Sequence, residues 1–258
     1  FRQAPKILTP ERIKLISKVA RNFPLFLRKK VFFKAHNVWG NNLHTLIVGG
    51  APLDIDLDKF FQGTGLKIFV GYGMSENSPL ISASLSQNRK SGEVGKPLHN
   101  LDFKLNNNSE ILIKGPSVFL GYWPNLNQSR DCFFNTQDIG KLTQNGNLIL
   151  KGRTKNLIIY PSGDKIFAED IEYLANQIES IEESCAVNTS NNITPTINLI
   201  YSGLNTKSIE IAQTLKEKLH FFVSIQNIQK YPEEKLPKTH TLKLNRKILM
   251  QWSKKQIS

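Results

Sequence analysis

The chain has 258 residues, of which 40% are hydrophobic, 21% charged and 9% aromatic, and its formal net charge is +13. This composition excludes a disordered polypeptide, a collagen-like repeat and a coiled coil, and the length suits one or two domains. No apolar run approaches the roughly 18–20 residues that span a bilayer, and no signal-peptide pattern follows Phe1. Cys132 and Cys185 form no ligand-spaced cluster, which argues against a disulfide framework and favours a reducing compartment such as the cytoplasm.

The positive charge is concentrated at the two ends of the chain. Residues 1–36 carry +9 and residues 235–258 carry +7, so the body between them is slightly acidic. Basic ends suit nucleic acid, an anionic membrane surface or a polyphosphate ligand, and charge alone does not choose among them. Because the sequence lacks the interleaved aromatic pattern of single-strand binders and any helix-turn-helix or zinc-finger signature, we expect no nucleic-acid partner. A basic nucleic-acid-binding module remains the alternative from another functional class.

The first part of the chain has the pattern of an α/β fold. Helices are predicted over residues 10–22 and from just after Pro24 to Trp39, and a third over 53–62. Apolar runs at 43–48 and 66–70 predict buried strands, and glycines follow both. A strand–helix–strand order with glycine at the carboxyl end of each strand predicts a sheet that binds ligand at that edge.

From about residue 92 the pattern changes to short antiparallel strands. They are predicted at 101–105, 110–114, 140–144 and 147–153, with Asn145-Gly146 as a hairpin turn. After Arg153 a compact α+β domain is predicted, with helices over 168–178 and 207–219, strands at 184–189, 194–201 and 225–230, and a final basic helix. We therefore expect a first domain over residues 1–153, α/β to about residue 91 and β over 92–153, and a second domain over 154–258.

Three polar motifs suit a nucleotide. The stretch GYGMSEN (71–77) follows a predicted strand and offers a tight turn, an aromatic ring, a hydroxyl and a carboxylate for Mg²⁺ on phosphate oxygens. Asp138 and Arg153 form an acceptor–donor pair for the vicinal hydroxyls of a sugar, and a lysine on the basic loop 237–246 would neutralise charge developing on a phosphate or carboxylate oxygen. Each motif also has a plain structural interpretation: a turn with a buried Tyr, a surface ion pair and a solvated lysine.

Seven motifs follow one another in a specific order. They are GGAPL (49–53), GYGMSENSP (71–79), GEVGKPL (92–98), EILIKGPSVFLGYW (110–123), TQDIGKL (136–142), GRTKNLIIYPSGDKI (152–166) and LPKTHTLKLNR (236–246). In this order they resemble the AMP-forming acyl-CoA synthetase (adenylate-forming ligase) family over essentially the whole chain, and the long-chain fatty acyl-CoA synthetase branch looks most similar. The implied fold is the C-terminal part of a large α/β adenylation domain with a small antiparallel β subdomain, followed by a compact, mobile α+β C-terminal domain.

The resemblance implies an enzyme that converts a carboxylic acid, here a long-chain fatty acid, to an acyl-adenylate with ATP and Mg²⁺, and then to a thioester with coenzyme A. It implies a cytoplasmic protein, and the basic ends suit peripheral attachment to an anionic membrane surface. It implies nothing about the oligomeric state. The alternatives within the class are a ligase for an aromatic or quinone-precursor acid and one that acylates a carrier protein. A catalytically inactive scaffold is disfavoured, because Glu76, Asp138, Arg153 and Lys243 are all present.

The resemblance also implies a role for individual residues. The catalytic group comprises Lys243, which bridges the acyl carboxylate and the α-phosphate, Ser75 at the phosphate and Glu76 as the Mg²⁺ ligand. Gly50, Ala51 and Pro52 would lie beside the adenine, and Tyr72 would stack on it, with Gly73 and Met74 in the same motif. Asp138 and Arg153 would hold the ribose. Lys155 would lie at the hinge of the small domain, and Gly163 in the loop that lines the pantetheine tunnel.

Four departures from the family pattern qualify this assignment. Ser75 replaces a usual Thr, and Gln137 and Leu242 each replace a usual Gly. The Ser/Thr/Gly-rich phosphate loop ending in Pro-Lys-Gly, which precedes these motifs in the family, is absent from the sequence. No other segment supplies an equivalent cradle of backbone N–H groups. We therefore expect the chain to be the C-terminal part of a longer enzyme, and to be inactive on its own.

Overall fold

The computed structural model describes residues 15–16, 18–20, 22–84, 89–124, 126, 131–190, 194–204, 207–219, 223–240 and 242–256. The chain divides into two compact units, one within residues 1–151 and one within residues 152–258. In the described part of the chain, none of the helices combines the length and apolar character needed to cross a membrane. Both cysteines are free, Cys132 exposed and Cys185 buried.

The first unit begins with the predicted α/β pattern. Its elements are α1 (Leu25–Val31), α2 (Phe33–Trp39), β1 (Thr45–Val48), α3 (Ile55–Gly63) and β2 (Lys67–Gly73). Strands β1 and β2 pair in parallel, with Thr45 opposite Lys67 and Val48 opposite Val70. Of the helix predicted over 10–22, residues 15–16 and 18–20 are helical, whereas 10–14, 17 and 21 lie outside the described residues.

Two predictions in this region were wrong in detail. The single helix predicted up to Trp39 is two helices, since Phe32 leaves the helical conformation at φ −100° and ψ 24° and places its ring 6.1 Å from that of Phe60, edge to face. The strand predicted to end before Gly71 continues to Gly73, because Gly71, Tyr72 and Gly73 pair with β3 (Leu80–Ala83). The motif at 71–77 thus begins inside a strand.

Two four-stranded sheets make up the first unit. The first has the order β1-β2-β3-β4, where β4 (Lys96–Pro97) pairs antiparallel with β3 and so extends this sheet beyond the predicted transition at residue 91. The second has the order β5-β6-β7-β8 and consists of β5 (Asp102–Leu105), β6 (Glu110–Lys114), β7 (Phe134–Leu142) and β8 (Leu148–Arg153). The strand predicted at 140–144 is therefore a nine-residue strand that starts at Phe134.

The second unit is an α+β fold. It comprises β9 (Leu157–Ile159), β10 (Lys165–Phe167), α4 (Ala168–Ala175), β11 (Ile181–Asn188), β12 (Ile197–Gly203), α5 (Ser208–Lys218), β13 (Ile225–Lys230) and α6 (Arg246–Lys255). Strand β12 is central, antiparallel to β11 and parallel to β13. The β9–β10 hairpin was not predicted. Buried side chains of α4, α5 and the sheet form the main core, among them Ile171, Leu199 and Ile211.

A buried ion pair fixes a loop to α3 in the first unit. Arg89 donates from two nitrogens to the two carboxylate oxygens of Asp58, at 2.8 and 2.6 Å, and the side chains are 3% and 1% exposed. Gln62 also donates to Asp58, at 2.9 Å. Because a buried carboxylate is stable only when it is paired, this contact determines where the chain at residue 89 must lie.

The substitution Arg89→Met tests this constraint. We expect it to lower the free energy of unfolding by about 3–5 kcal/mol, because it leaves the Asp58 carboxylate buried without its counter-ion. Chemical denaturation followed by tryptophan fluorescence measures the change. Lys59→Met is the matched control, since Lys59 pairs with Asp56 at 3.8 Å on the same helix with both side chains 44% exposed, and such a pair contributes about 0–1 kcal/mol. Equal effects of the two substitutions would contradict the assignment.

Candidate functional site

The carboxyl ends of the parallel strands β1 and β2 lie side by side. A Cβ placed on Gly49, directly after β1, would be 3.2 Å from the carbonyl oxygen of Gly71 in β2, so the absence of a side chain permits this approach. Gly50 follows at φ +82°, a conformation that favours glycine, and Ala51 and Pro52 continue as exposed residues. The residues predicted to flank an adenine therefore lie at the ligand-binding edge expected for a parallel strand pair.

Tyr72 and Asp138 contact each other. The Tyr72 hydroxyl donates a hydrogen bond of 2.7 Å to Oδ2 of Asp138, and the two residues are 7% and 6% exposed. Tyr72 belongs to β2 in the first sheet and Asp138 to β7 in the second, so this bond joins the two sheets of the unit. The ring packs in a core cluster with Ile111 and Leu148. The structure thus brings together two residues that the resemblance assigns to different parts of one nucleotide.

The residues predicted to contact phosphate and Mg²⁺, Ser75 and Glu76, follow β2 in a tight turn. Residues Ser75–Asn77 form one turn of 3₁₀-helix, closed by a 2.7 Å hydrogen bond from the Met74 amide to the carbonyl of Pro79. Gly73 is required there, because a Cβ would lie 1.7 Å from that same carbonyl oxygen. Ser75 is exposed and Glu76 is half-buried. The turn therefore presents a hydroxyl and a carboxylate directly beyond the end of the strand.

A loop from the second sheet supports this turn. The Tyr122 hydroxyl donates to Oε1 of Glu76 at 2.6 Å, and the Phe119 amide donates to the Glu76 carbonyl at 2.8 Å. Ser117 donates to the side-chain oxygen of Asn77, also at 2.8 Å. This loop lies in the motif at 110–123, to which the sequence assigned no role in the site. The contact between Tyr122 and Glu76 spans 46 residues and therefore leaves no local sequence signal.

The Glu76 carboxylate changes the acidity of Tyr122. The hydrogen bond to Glu76 raises the pKa of the Tyr122 hydroxyl, with smaller effects of partial burial and of the carboxylate charge, because all three favour the neutral phenol. At neutral pH Tyr122 therefore remains a donor and orients Glu76. The oxygens of Glu76 and Ser75 fit Mg²⁺, which prefers hard oxygen ligands and is usually held by one or two carboxylates together with substrate phosphates.

Both positions at which the resemblance expects glycine adopt a left-handed conformation. Gln137, next to Asp138, and Leu242, next to Lys243, each have φ +61°. The Gln137 amide donates to the side-chain oxygen of Asn135 at 2.8 Å, which helps to hold this conformation. The two larger residues thus preserve the backbone shape that glycine adopts without strain.

Arg153, Lys155 and Gly163 follow one another from the end of β8 to the β9–β10 hairpin. Arg153 ends β8 and is half-buried, and Lys155 is exposed on the 3₁₀ turn Thr154–Asn156. Gly163, at φ +89°, closes the β9–β10 hairpin by donating its amide to the Tyr160 carbonyl at 2.9 Å.

Lys243 lies on an exposed hairpin that leads into α6. Lys238 and Leu244 pair across its base, and the Thr239 amide donates to the Lys243 carbonyl at 2.7 Å. The Lys243 side chain is exposed. Asn245 then begins α6, its side chain accepting a hydrogen bond from the Ile248 amide at 3.3 Å. An exposed cation on a surface hairpin suits a group that must approach a bound phosphate.

A second buried ion pair anchors the start of α6. Arg246 donates from its two terminal nitrogens to the two oxygens of Glu172 in α4, at 2.5 and 2.8 Å, and to the Ala186 carbonyl at 3.0 Å. Burial raises the pKa of the Glu172 carboxyl, and the Arg246 guanidinium and the Ala186 amide oppose that rise. Burial likewise raises the pKa of the adjacent Cys185 thiol, which is therefore kept protonated. Sequence reasoning did not predict this pair.

The chain is similar in sequence to known proteins. Residues 3–123 match the family of AMP-binding enzymes. The long-chain-fatty-acid–CoA ligase FadD15 of Mycobacterium bovis is 35% identical over 140 residues, covering 53% of this chain and 23% of that protein. The 2-succinylbenzoate–CoA ligase of Staphylococcus epidermidis is 31% identical over 220 residues, covering 80% of this chain and 46% of that protein.

Solved structures share the fold. The o-succinylbenzoate CoA synthetase of Bacillus subtilis superposes with a TM-score of 0.70 at 20% identity, over 88% of this chain and 54% of that one. The chain has an α/β fold and belongs to the AMP-binding enzyme family. It spans between about a quarter and about half the length of the two curated relatives named above.

The substitution Tyr72→Phe tests the bond between the sheets. We expect a loss of about 1–3 kcal/mol in the free energy of unfolding, because the buried Asp138 carboxylate loses a donor while the ring keeps its packing. Chemical denaturation measures the free energy of unfolding. Tyr173→Phe, at an exposed position of α4, is the control. A Tyr72→Phe protein as stable as the unsubstituted chain would show that the bond does not hold the sheets together.

Proposed function

We propose that the chain is the C-terminal part of an AMP-forming acid–thiol ligase whose acid substrate is a long-chain fatty acid. The observation that carries the proposal is the 2.7 Å hydrogen bond between Tyr72 and Asp138. Tyr72 belongs to β2, the strand that leads directly into the Ser75–Glu76 turn. A ring, a carboxylate suited to a sugar, a hydroxyl and a carboxylate suited to Mg²⁺ thus occur in one unit.

The nucleotide roles rest on the family resemblance and suit the chemistry of these groups. We assign adenine binding to Gly50, Ala51, Pro52 and the Tyr72 motif with Gly73 and Met74, and ribose binding to the acceptor Asp138 and the donor Arg153. Ser75 donates to a phosphate oxygen. Glu76 ligates Mg²⁺, which when bound offsets the negative charge of the phosphates.

The first half-reaction is attack of a carboxylate oxygen on the α-phosphorus of ATP. The bond from that phosphorus to the bridging oxygen breaks, which gives an acyl-adenylate and pyrophosphate. Two anions must approach each other in this step, and the Lys243 ammonium reduces their repulsion. In the second half-reaction the thiolate of coenzyme A attacks the acyl carbonyl and AMP leaves, with Lys155 at the hinge and Gly163 beside the pantetheine chain.

The choice of a fatty acid rests on sequence similarity to FadD15. Other relatives are named for different substrates: 2-succinylbenzoate in one case, and a long-chain fatty acid transferred to acyl-carrier protein in another. A panel of acids with coenzyme A or carrier protein as acceptor, assayed on the full-length enzyme, separates these alternatives. A marked preference for an aromatic acid would refute the fatty-acid assignment.

The proposal includes a cytoplasmic location with peripheral attachment to an anionic membrane. Lys18, Arg28, Lys29, Lys30 and Lys34 lie in a stretch of residues 12–53 that contains no acidic residue. Basic clusters of this kind are attracted to anionic lipid headgroups, where fatty acids also partition.

The substitution Lys243→Ala in the full-length enzyme separates the two half-reactions. We expect the rate of adenylation to fall by roughly 100-fold or more, since electrostatic stabilisation of developing charge by one group is worth that much. Thioester formation from preformed acyl-adenylate should continue at close to the original rate. Pyrophosphate release and single-turnover thioester formation are the measurements.

Lys247→Ala, on the exposed start of α6, is the matched control and should leave both half-reactions unchanged. If Lys243→Ala also left both half-reactions unchanged, or slowed both equally, the role assigned to Lys243 would be wrong.

The 258 residues on their own should not form acyl-adenylate efficiently. They contain no Ser/Thr/Gly-rich loop whose backbone N–H groups could hold the triphosphate during attack. The measurement is pyrophosphate release by the purified chain with ATP, Mg²⁺ and palmitate, with the full-length enzyme assayed in parallel. Release at the rate of the full-length enzyme would refute this expectation.

A further inference from the structure

We propose that Asn156 and Glu169 are positioning residues that couple the hinge turn Thr154–Asn156 to the hairpin carrying Lys243, through Arg246. The inference rests on the proposed function, because it concerns the segments assigned there to domain movement and to adenylation. Both segments belong to the second unit. A cluster formed by Asn156, Glu169, Glu172 and Arg246 connects them.

The hinge side of the cluster is a short hydrogen bond. The side-chain amide of Asn156, directly after Lys155, donates to Oε1 of Glu169 at 2.5 Å. Glu169 lies in the first turn of α4, which is itself packed on the core of the unit. Its other oxygen, Oε2, is buried and accepts no hydrogen bond within the described residues. A buried carboxylate oxygen without a donor is costly, so this side chain gains from any rearrangement that supplies one.

The hairpin side of the cluster is Arg246, three residues beyond Lys243. It pairs closely with Glu172, at 2.5 and 2.8 Å, and more loosely with Oε1 of Glu169, at 3.5 Å. The Asn245 amide immediately before it donates to the Pro237 carbonyl at 2.9 Å, which closes the base of the hairpin. The position of Arg246 therefore determines where the base of the hairpin lies.

Asn156 and Arg246 thus share one acceptor, Oε1 of Glu169. While Asn156 donates to that oxygen, Arg246 remains with Glu172. When the hinge turn rotates and withdraws Asn156, both oxygens of the Glu169 carboxylate lack a hydrogen-bond donor. The nearby donor is the Arg246 guanidinium. A closer Arg246–Glu169 pair then forms, and the base of the Lys243 hairpin shifts with it. The hinge state and the placement of the lysine are coupled by this exchange of partners.

Hydrogen exchange of the ligand-free 258-residue chain tests the coupling without requiring activity. Asn156→Ala should change the exchange rates of the Leu242 and Lys243 amides by about threefold or more, as expected for residues in one network. Asn156→Asp keeps the shape of the side chain but replaces its donor with a carboxylate that repels Glu169, so its effect should be at least as large. Asn188→Ala, at the end of β11 in the same unit, is the matched control and should leave these amides unchanged.

The combination of Asn156→Ala with Glu169→Gln gives the decisive result. If the coupling passes through Glu169, adding Asn156→Ala to Glu169→Gln should produce almost no further change, so the effects are not additive. Additive effects, or wild-type exchange in Asn156→Asp, would overturn the proposal, and circular dichroism confirms that each variant is folded. Because no nucleotide is present, this outcome is independent of whether Lys243 catalyses adenylation.

Discussion

A buried hydrogen bond joins the two sheets of the first unit. Tyr72 and Asp138 are 66 residues apart in sequence and belong to different sheets, yet they meet at 2.7 Å with both side chains almost inaccessible. A buried carboxylate and a buried phenol both need hydrogen-bond partners, and each of these residues supplies one to the other. The bond therefore helps to specify how the α/β sheet and the antiparallel sheet meet, and it places the Asp138 carboxylate beside the strand that leads to Ser75 and Glu76.

Buried ion pairs have the same effect on loops in both units. Arg89 with Asp58 determines where the chain at residue 89 lies, and Arg246 with Glu172 determines where the base of the Lys243 hairpin lies. Such pairs add little net stability compared with apolar residues of the same size, but a misplaced loop would leave a charge buried and unpaired. Their contribution is to make one placement of each loop far more favourable than the others.

Local sequence pattern predicted most helices and strands but not these contacts. The apolar runs and following glycines predicted β1 and β2, and the periodicity of residues 168–178 and 207–219 predicted α4 and α5. The β9–β10 hairpin was missed because its strands are only three residues long, and the first half of β7 was missed because Phe134 and Asn135 pair with Ile113 and Leu112, more than 20 residues earlier in the chain. Within the site, the motif residues were identifiable from sequence, whereas the supports Ser117, Tyr122 and Arg246 were not, since each acts across 40 residues or more.

The central claim is that the strand ending at Gly73, together with Asp138, forms a nucleotide-binding surface. The most direct measurement is the change in backbone NMR chemical shifts when AMP is added to the isotopically labelled chain. The account predicts that the largest saturable changes within the first unit fall at Gly50, Ala51, residues 72–76 and Asp138. Saturable changes centred elsewhere in that unit, with these amides unmoved at saturating AMP, would contradict it.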